Sequence, residues 1–308
     1  MVDNVQDKDF ILGNKPIGIN VEASSGPPSG IKVSNVLSLR QDIANMGLAG
    51  KIWHSAYTLQ SYFSHDNGLL LDPPTPIPSM YHYNNSKDTN TNTESQRPFT
   101  ILELGAGTGY CGIVLANMLG RQCQVYITDL EPVIPLIEEN VKAHHIQDGQ
   151  HAQVFCERLH WGNQQDAQRV LDKVGGHFDL VVISDCVYFP ELFQPLMDTL
   201  LWICSNNDDD QEQTKVVIGY KCRSLEKETG FWDLHFGRYF DYEPVRILGN
   251  LGNNNNKEND NDNQDSNVGQ LLGYEEQIYV FVGSRRHSNH IPAADDRFAL
   301  LMFCSMDY

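Results

Sequence analysis

The chain has 308 residues, of which 41% are hydrophobic, and a formal net charge of -18. That length supports one large α/β domain, or two small ones, with a well-buried core. The acidity argues against nucleic acid as the main partner, because a negative field repels phosphate backbones, and favours a basic protein or a lysine-bearing segment.

Seven cysteines, at 111, 123, 156, 186, 204, 222 and 304, form no C-x-x-C pair. An odd, scattered set implies a reducing compartment and no disulfide framework. The N-terminus carries neither a basic nor an apolar leader region, and no apolar run approaches the roughly 18 residues of a membrane span. The expectation is a cytoplasmic protein without a membrane segment, acting as a monomer.

In chain order, residues 1–49 read as an N-terminal arm, loosely attached over 1–35, where Ser24-Ser-Gly-Pro-Pro-Ser-Gly30 interrupts short β-like pieces. Residues 50–63 read as a helix with Ile52, Ala56, Leu59 and Phe63 on one face. Residues 84–97 form a polar, Asn/Ser/Thr-rich loop with little to bury. From 99 onward strands and helices alternate. Strands are expected near 99–104, 123–128, 152–157, 178–184, 214–220, 243–248 and 277–283. Helices are expected near 109–119, 132–145, 164–173, 190–204 and 226–239. Pro132 and Pro190 suit first helical positions, where a missing N–H costs nothing. The alternation predicts a doubly wound, mostly parallel α/β sheet with helices on both faces. The main domain is placed at 50–283. The asparagine- and aspartate-rich tract 249–267 has too few apolar side chains to offset ordering entropy and should be mobile. It interrupts a hairpin and marks no domain boundary. The tail, 284–308, begins basic and ends apolar in Phe298-Ala-Leu-Leu-Met-Phe303.

Ile101-Leu-Glu-Leu-Gly-Ala-Gly-Thr-Gly109 is an apolar strand running into a glycine-rich turn, with a helix behind it. Glycines at 105 and 107 let the backbone turn tightly and approach a ligand where a Cβ would clash. Open α/β folds hold adenosine-containing cofactors at such a turn. Gly107-Thr-Gly109-Tyr-Cys-Gly112 also fits the G-x-G-x-x-G nicotinamide fingerprint. Glu103 tilts the choice: a carboxylate repels a pyrophosphate but suits the sulfonium and ammonium of S-adenosylmethionine. Asp129, at the tip of the second strand, can accept both ribose hydroxyls of either cofactor, or could cap the helix at 132. Leu130 would then flank the adenine. Trp161 could stack on that adenine, although alone it reads as core, and Trp53 reads as a helix-face aromatic.

Ser184-Asp-Cys-Val-Tyr188 follows the fourth strand, beside the first, at the switch-point crevice. Asp185 and Tyr188 together suit an ammonium: the carboxylate attracts it and the ring adds cation–π attraction of roughly 0.5–2 kcal/mol. The histidines, including His144-His145 and His287-Ser-Asn-His290, lack partners at metal-ligand spacing, so no metal is expected.

Taken together, Lys51-Ile-Trp-His-Ser-Ala-Tyr-Thr-Leu-Gln-Ser-Tyr62, the 101–114 segment, Ile127-Thr-Asp-Leu-Glu131, Leu159-His-Trp-Gly162 and Ser184-Asp-Cys-Val-Tyr188 resemble the seven-β-strand S-adenosylmethionine-dependent methyltransferases. Within them the chain is similar to the protein-lysine methyltransferases with a D-x-x-Y motif, which modify chaperones, AAA ATPases and translation elongation factors. The resemblance implies a seven-stranded Rossmann-like sheet with an antiparallel last strand and S-adenosyl-L-methionine as cofactor, giving S-adenosyl-L-homocysteine. It implies that Trp53, Gly105, Ala106, Gly107, Asp129, Leu130, Trp161 and Ser184, with Glu103, contact the cofactor. Asp185 and Tyr188 would line a lysine channel. The substrate would be a protein lysine, in a translation elongation factor for example. The long 64–98 loop, the 249–267 tract and the tail depart from the family's pattern. Three other readings stay open: an NAD-dependent oxidoreductase, a non-catalytic S-adenosylmethionine-binding module, and a methyltransferase for RNA or a small molecule.

Overall fold

A computed structural model describes residues 21–64, 68–83, 97–204, 213–250, 269–287 and 291–306. Strand β1 (Leu69–Asp72) precedes a Rossmann-like unit built from β2 (Phe99–Leu104), β3 (Cys123–Asp129), β4 (Gln153–Arg158), β5 (Leu180–Ser184), β6 (Lys215–Lys221), β7 (Phe240–Pro244) and, after two short strands, β10 (Ile278–Arg285). These seven make one sheet in the order β4-β3-β2-β5-β6-β10-β7. Strands β2 to β6 pair in parallel, and β10 runs antiparallel between β6 and β7.

The winding direction reverses between β2 and β5, which lie side by side. A crevice opens above the carboxyl ends of strands at such a switch point. The expected strands at 99–104, 123–128, 152–157, 178–184, 214–220 and 277–283 each lie on an observed strand, with end shifts of one to a few residues.

Both faces of the sheet are covered, so its central strands are apolar throughout rather than alternating. Ile101, Val125, Ile127, Leu180, Val182 and Val217 point into one core, with the helices α2 (His54–Phe63), α3 (Tyr110–Met118) and α4 (Ile134–His144). Leu102, Leu104, Tyr126, Val181, Ile183, Val216 and Ile218 point into the other, with α5 (Gln164–Val174) and α6 (Phe193–Ile203). This is the period-two alternation of a strand, expressed as two cores. A short helix α1 (Ile43–Met46) stands before α2. From Ile31 onward the chain packs against the domain: Ile31 and Leu39 are buried, and Gln60 Nε2 donates to the Ser34 carbonyl at 2.8 Å. Residues 1–20 of the expected arm, and most of the 84–97 loop and of the 249–267 tract, lie outside the described residues.

Three segments differ from expectation. The strand expected at 243–248 is two strands. β7 ends at Pro244, whose missing N–H suits the end of an edge strand, and β8 (Arg246–Asn250) leaves the sheet. β8 pairs with β1 and with β9 (Gln270–Leu271) in a separate three-stranded sheet. β1 falls inside what read as a loop.

The helix expected at 226–239 is α7 (Leu225–Gly230), a π-helical turn (Phe231–Phe236) and α8 (Gly237–Tyr239). The wider turn brings Phe231, Trp232 and Phe236 inward together, and all three are fully buried. The tail forms α9 (Arg297–Met306), whose Phe298 and Met302 are buried. The Phe298 ring stacks on Trp232 with centroids 5.0 Å apart, and the Phe298 N–H donates to Asp233 Oδ1 at 3.0 Å. No described helix is long and apolar enough to cross a membrane.

Candidate active site

A cavity of about 610 Å³ opens above the switch point. Every residue singled out from the sequence lines it: Trp53, Glu103, Gly105, Ala106, Gly107, Asp129, Leu130, Trp161, Ser184, Asp185 and Tyr188. All but Trp53, which stands at the start of α2, come from the strand tips of β2, β3, β4 and β5 that the parallel order brings to one edge.

The glycine turn forms the floor. Gly105 (φ +66°) and Gly107 (φ +58°) occupy the left-handed region, where a side chain is strained. A Cβ on Gly105 would come within 2.5 Å of Trp161 Cζ2 and 2.9 Å of Cys186 Sγ, so the indole closes directly on the turn. A Cβ on Gly107 would come within 2.8 Å of the Ala49 carbonyl, which places the segment before α2 over the cavity as a roof.

Several N–H groups of this turn and of the helix behind it are already used. Ala106 N–H donates to the Thr128 carbonyl (3.0 Å), Gly109 N–H to the Ala106 carbonyl (2.9 Å), Gly107 N–H to Asp129 Oδ2 (2.7 Å) and Gly112 N–H to Glu103 Oε2 (2.8 Å). A dinucleotide pyrophosphate binds to such N–H groups. Here Asp129 holds the Gly107 N–H and Glu103 holds that of Gly112 in α3, which argues against a pyrophosphate cradle for the G-x-G-x-x-G match. Asp129 also accepts the Leu130 N–H at 2.7 Å. It ties the tip of β3 to the turn and does not cap the helix that follows.

Both carboxylates sit in little water. Desolvation raises the Glu103 pKa to about 8, with the nearby Asp129 charge adding to it and the Gly112 N–H opposing it. Desolvation raises Asp129 to about 6, against its two backbone hydrogen bonds. A carboxyl held out of water lowers its pKa again when a cation arrives beside it. The floor is thus prepared for a positively charged ligand.

The other wall carries the D-x-x-Y segment. Asp185 has a positive φ of +60° and donates its N–H to the Gly219 carbonyl of β6 at 2.7 Å. Its side chain is fully buried, and its two oxygens accept from Arg223 Nη1 at 2.8 Å and Nη2 at 2.5 Å. From the sequence, Asp185 suits an ammonium; in the structure a guanidinium of the chain itself already occupies that carboxylate. Tyr188 is half-buried and packs edge-on against Phe189 at 4.6 Å. Loss of hydration raises the Tyr188 phenol pKa well above its usual value, which keeps it a neutral hydroxyl. Trp53 donates from Nε1 to the Leu48 carbonyl at 3.0 Å, and its ring lies 5.0 Å from the Arg223 guanidinium and 4.9 Å from Lys51 Nζ. Ser184 Oγ lies 3.4 Å from Ser55 Oγ.

Sequence reasoning missed Arg223 and the roof residues Met46, Leu48 and Ala49, all in the cavity wall. Arg223 follows an apolar strand, but its place beside the Asp185 strand exists only in the fold. The roof has no such mark, because short loops over a cleft follow tertiary packing. Among the described residues no group of His, Cys, Asp and Glu is arranged to hold a metal ion.

A seven-stranded sheet of this order, with a carboxylate-held glycine turn at its switch point, defines a Rossmann-like methyltransferase fold. A sequence model of the lysine methyltransferase family matches residues 31–235, and the chain belongs to that family. Protein N-lysine methyltransferase METTL21A of Mus musculus is 29% identical over 202 residues, spanning 64% of this chain and 72% of that protein. Protein-lysine N-methyltransferase EFM6 of Saccharomyces cerevisiae is 27% identical over 179 residues, 56% of this chain and 65% of that protein. EEF1A lysine methyltransferase 3 of Xenopus tropicalis is 28% identical over 203 residues, 66% of this chain and 71% of that protein.

Proposed function

We propose that the cavity binds S-adenosyl-L-methionine and that its methyl group passes to the side-chain amine of a lysine in a protein substrate. The observation that carries this reading is the glycine turn whose N–H groups are held by Asp129 and Glu103. It takes up the Gly107 N–H that a pyrophosphate would use and sets two buried carboxyl groups where a cation would meet them. The residues fit the cofactor: the turn leaves backbone where a Cβ would fill the space, Trp161 offers an indole face, and Asp129 keeps acceptor capacity for hydroxyls.

When bound, the cofactor supplies a methyl carbon activated by its sulfonium. The chain's residues do the rest by position and charge. Lysine arrives protonated, with a reference pKa of about 10.4, and must release that proton to water before its nitrogen can attack. The wall of Tyr188, Phe189 and Trp53 desolvates the amine, which favours its neutral form. With the cofactor bound, methyl transfer to the neutral nitrogen would release S-adenosyl-L-homocysteine, and the chain's part is to hold the amine in line with that methyl group. Asp185, fixed by Arg223, holds the rim of the channel, and the neutral Tyr188 hydroxyl can accept or donate one hydrogen bond to the amine.

The printed name of the frog relative points to the elongation factor EEF1A. Carried to this chain as a proposal, the acceptor is a lysine of a translation elongation factor. The net charge of -18 suits a basic protein partner and disfavours RNA. The same proposal reads the protein as a cytoplasmic monomer in which residues 50–283 form the catalytic domain, preceded by an arm and followed by a tail.

Thermal shift and calorimetry with S-adenosyl-L-homocysteine and NAD test the cofactor. The expected result is stabilisation that grows with S-adenosyl-L-homocysteine concentration and none with NAD. The reverse pattern would favour the oxidoreductase. Binding of the S-adenosyl ligand without transfer to any protein would favour a non-catalytic module.

A further inference from the structure

Arg223 sits where the incoming amine would meet Asp185. Its guanidinium makes a two-point contact with that carboxylate, donates from Nη1 to the Lys221 carbonyl at 3.2 Å and lies on the Trp53 ring. Its backbone N–H donates to Glu228 Oε2 at 3.1 Å. Carboxylate and aromatic face together make a ready receptor for an ammonium, and the chain fills that receptor with its own cation.

We infer that Arg223 is a positioning residue of the amine site: it neutralises Asp185 so that the channel receives lysine as a neutral amine instead of trapping it as an ammonium. The inference rests on the methyl-transfer reading above. An unpaired carboxylate beside the channel would bind the ammonium and hold its proton, because an opposite charge within about 4–6 Å favours the charged form by one to three pKa units. An ammonium has no lone pair and cannot attack. A guanidinium stays charged at every working pH, so the pairing is permanent.

An amine on the same aromatic ring feels the same two charges. Lys51, on the same Trp53 ring, has its pKa lowered, first by desolvation and then by the Arg223 charge, with Glu22 and Asp185 opposing. Other titratable groups face the pair from each neighbouring element. His54 comes from α2, with Glu276 acting on it. Cys186 and Tyr188 follow β5, and Asp129 acts on both from the tip of β3. Tyr220, Lys221 and Cys222 come from β6 and its end. Glu228, on α7, accepts from Tyr220 Oη at 2.5 Å and does not line the cavity.

The test uses the full chain saturated with S-adenosyl-L-homocysteine and n-butylamine at pH 8 as the probe, read by ligand-detected NMR. Wild type and Asp185→Asn should show no saturable binding of n-butylammonium. Arg223→Gln should bind it saturably, at a concentration at least about tenfold below the highest at which wild type shows no saturation, and Arg223→Lys should stay near wild type. An Arg223→Gln affinity no higher than wild type overturns the assignment. So does wild-type binding that Asp185→Asn abolishes, a comparison that stands even where Arg223→Gln fails to fold. In methyl transfer to lysate protein, the pH profile of Arg223→Gln should move to higher pH by about one unit or more. An unmoved profile counts against the assignment. Failure of wild type to bind S-adenosyl-L-homocysteine would instead defeat the cofactor reading, a result separate from any of these.

Discussion

The two walls of the cavity are built on different principles. The floor is backbone held by carboxylates: Asp129 and Glu103 take N–H groups from the glycine turn, and Trp161 closes on Gly105. The amine wall is side chain held by side chain: Asp185 grips Arg223, and Arg223 lies on Trp53. A backbone-built wall is legible as local patterns, because the glycines and the strand before them adjoin and each acid marks a strand, although Asp129 lies 22 residues from Gly107. A side-chain wall is assembled from distant segments, since Trp53, Asp185 and Arg223 come from three separate elements. The first should tolerate no added atom. The second should tolerate loss of a partner in folding better than in chemistry.

Gly105→Val attacks the floor and should have the largest effect. The new side chain would collide with Trp161 and Cys186 at a left-handed φ. Calorimetry should find affinity for S-adenosyl-L-homocysteine strongly lowered or lost, because the floor must shift to admit the new atoms. Unchanged affinity would mean that the ligand lies elsewhere.

Asp185→Ala attacks the amine wall and should come second. Methyl transfer should fall below detection while S-adenosyl-L-homocysteine affinity stays within a few-fold. Removing one partner of a fully buried pair costs roughly 3–5 kcal/mol. Arg223 keeps 20% of its side-chain surface exposed, so the stability loss should fall below that range. Parallel loss of cofactor binding would erase the distinction between the walls.

The division also explains what could be read from the chain alone. The parallel strands, the turn, Asp129 and the D-x-x-Y segment were legible because each is a local pattern: an apolar run, a glycine spacing, an acid at a strand tip. Arg223 was not, because its role exists only once β6 lies beside β5. The π-helical turn at Phe231–Phe236 and the split of 243–248 into β7 and β8 escaped for the same reason. Aromatic crowding around Trp232, and pairing with the distant β1, decide them. The tail was the least legible part, and α9 proves to bury Phe298 against that aromatic cluster.

Phe298→Ala sharpens the comparison from outside the cavity. It removes a fully buried ring, which costs about 3–5 kcal/mol, and should lower the melting temperature while leaving S-adenosyl-L-homocysteine affinity unchanged. A matching loss of affinity would couple α9 to the site.

Glu103→Gln gives the most pH-dependent effect, and the smallest of these at low pH. In the fold Glu103 keeps its proton to about pH 8, whereas an unfolded glutamate releases it near about 4.3. A raised folded pKa contributes stability that is complete below the unfolded value and is lost as pH climbs to the folded one. The ligand-free wild type should therefore weaken across that window, and glutamine should not follow. The melting-temperature difference, variant minus wild type, should grow between about pH 4.3 and 8 and then level off. A difference independent of pH would mean that Glu103 is ionised in the free protein.

Incubation of the full chain with methyl-labelled S-adenosyl-L-methionine and cell lysate, followed by hydrolysis of the protein fraction to amino acids, tests the central claim most directly. The account predicts label in N-methylated lysine, and none when Asp185→Ala replaces wild type. Label in nucleic acid, in another amino acid, or in lysine to the same extent with the variant would contradict it.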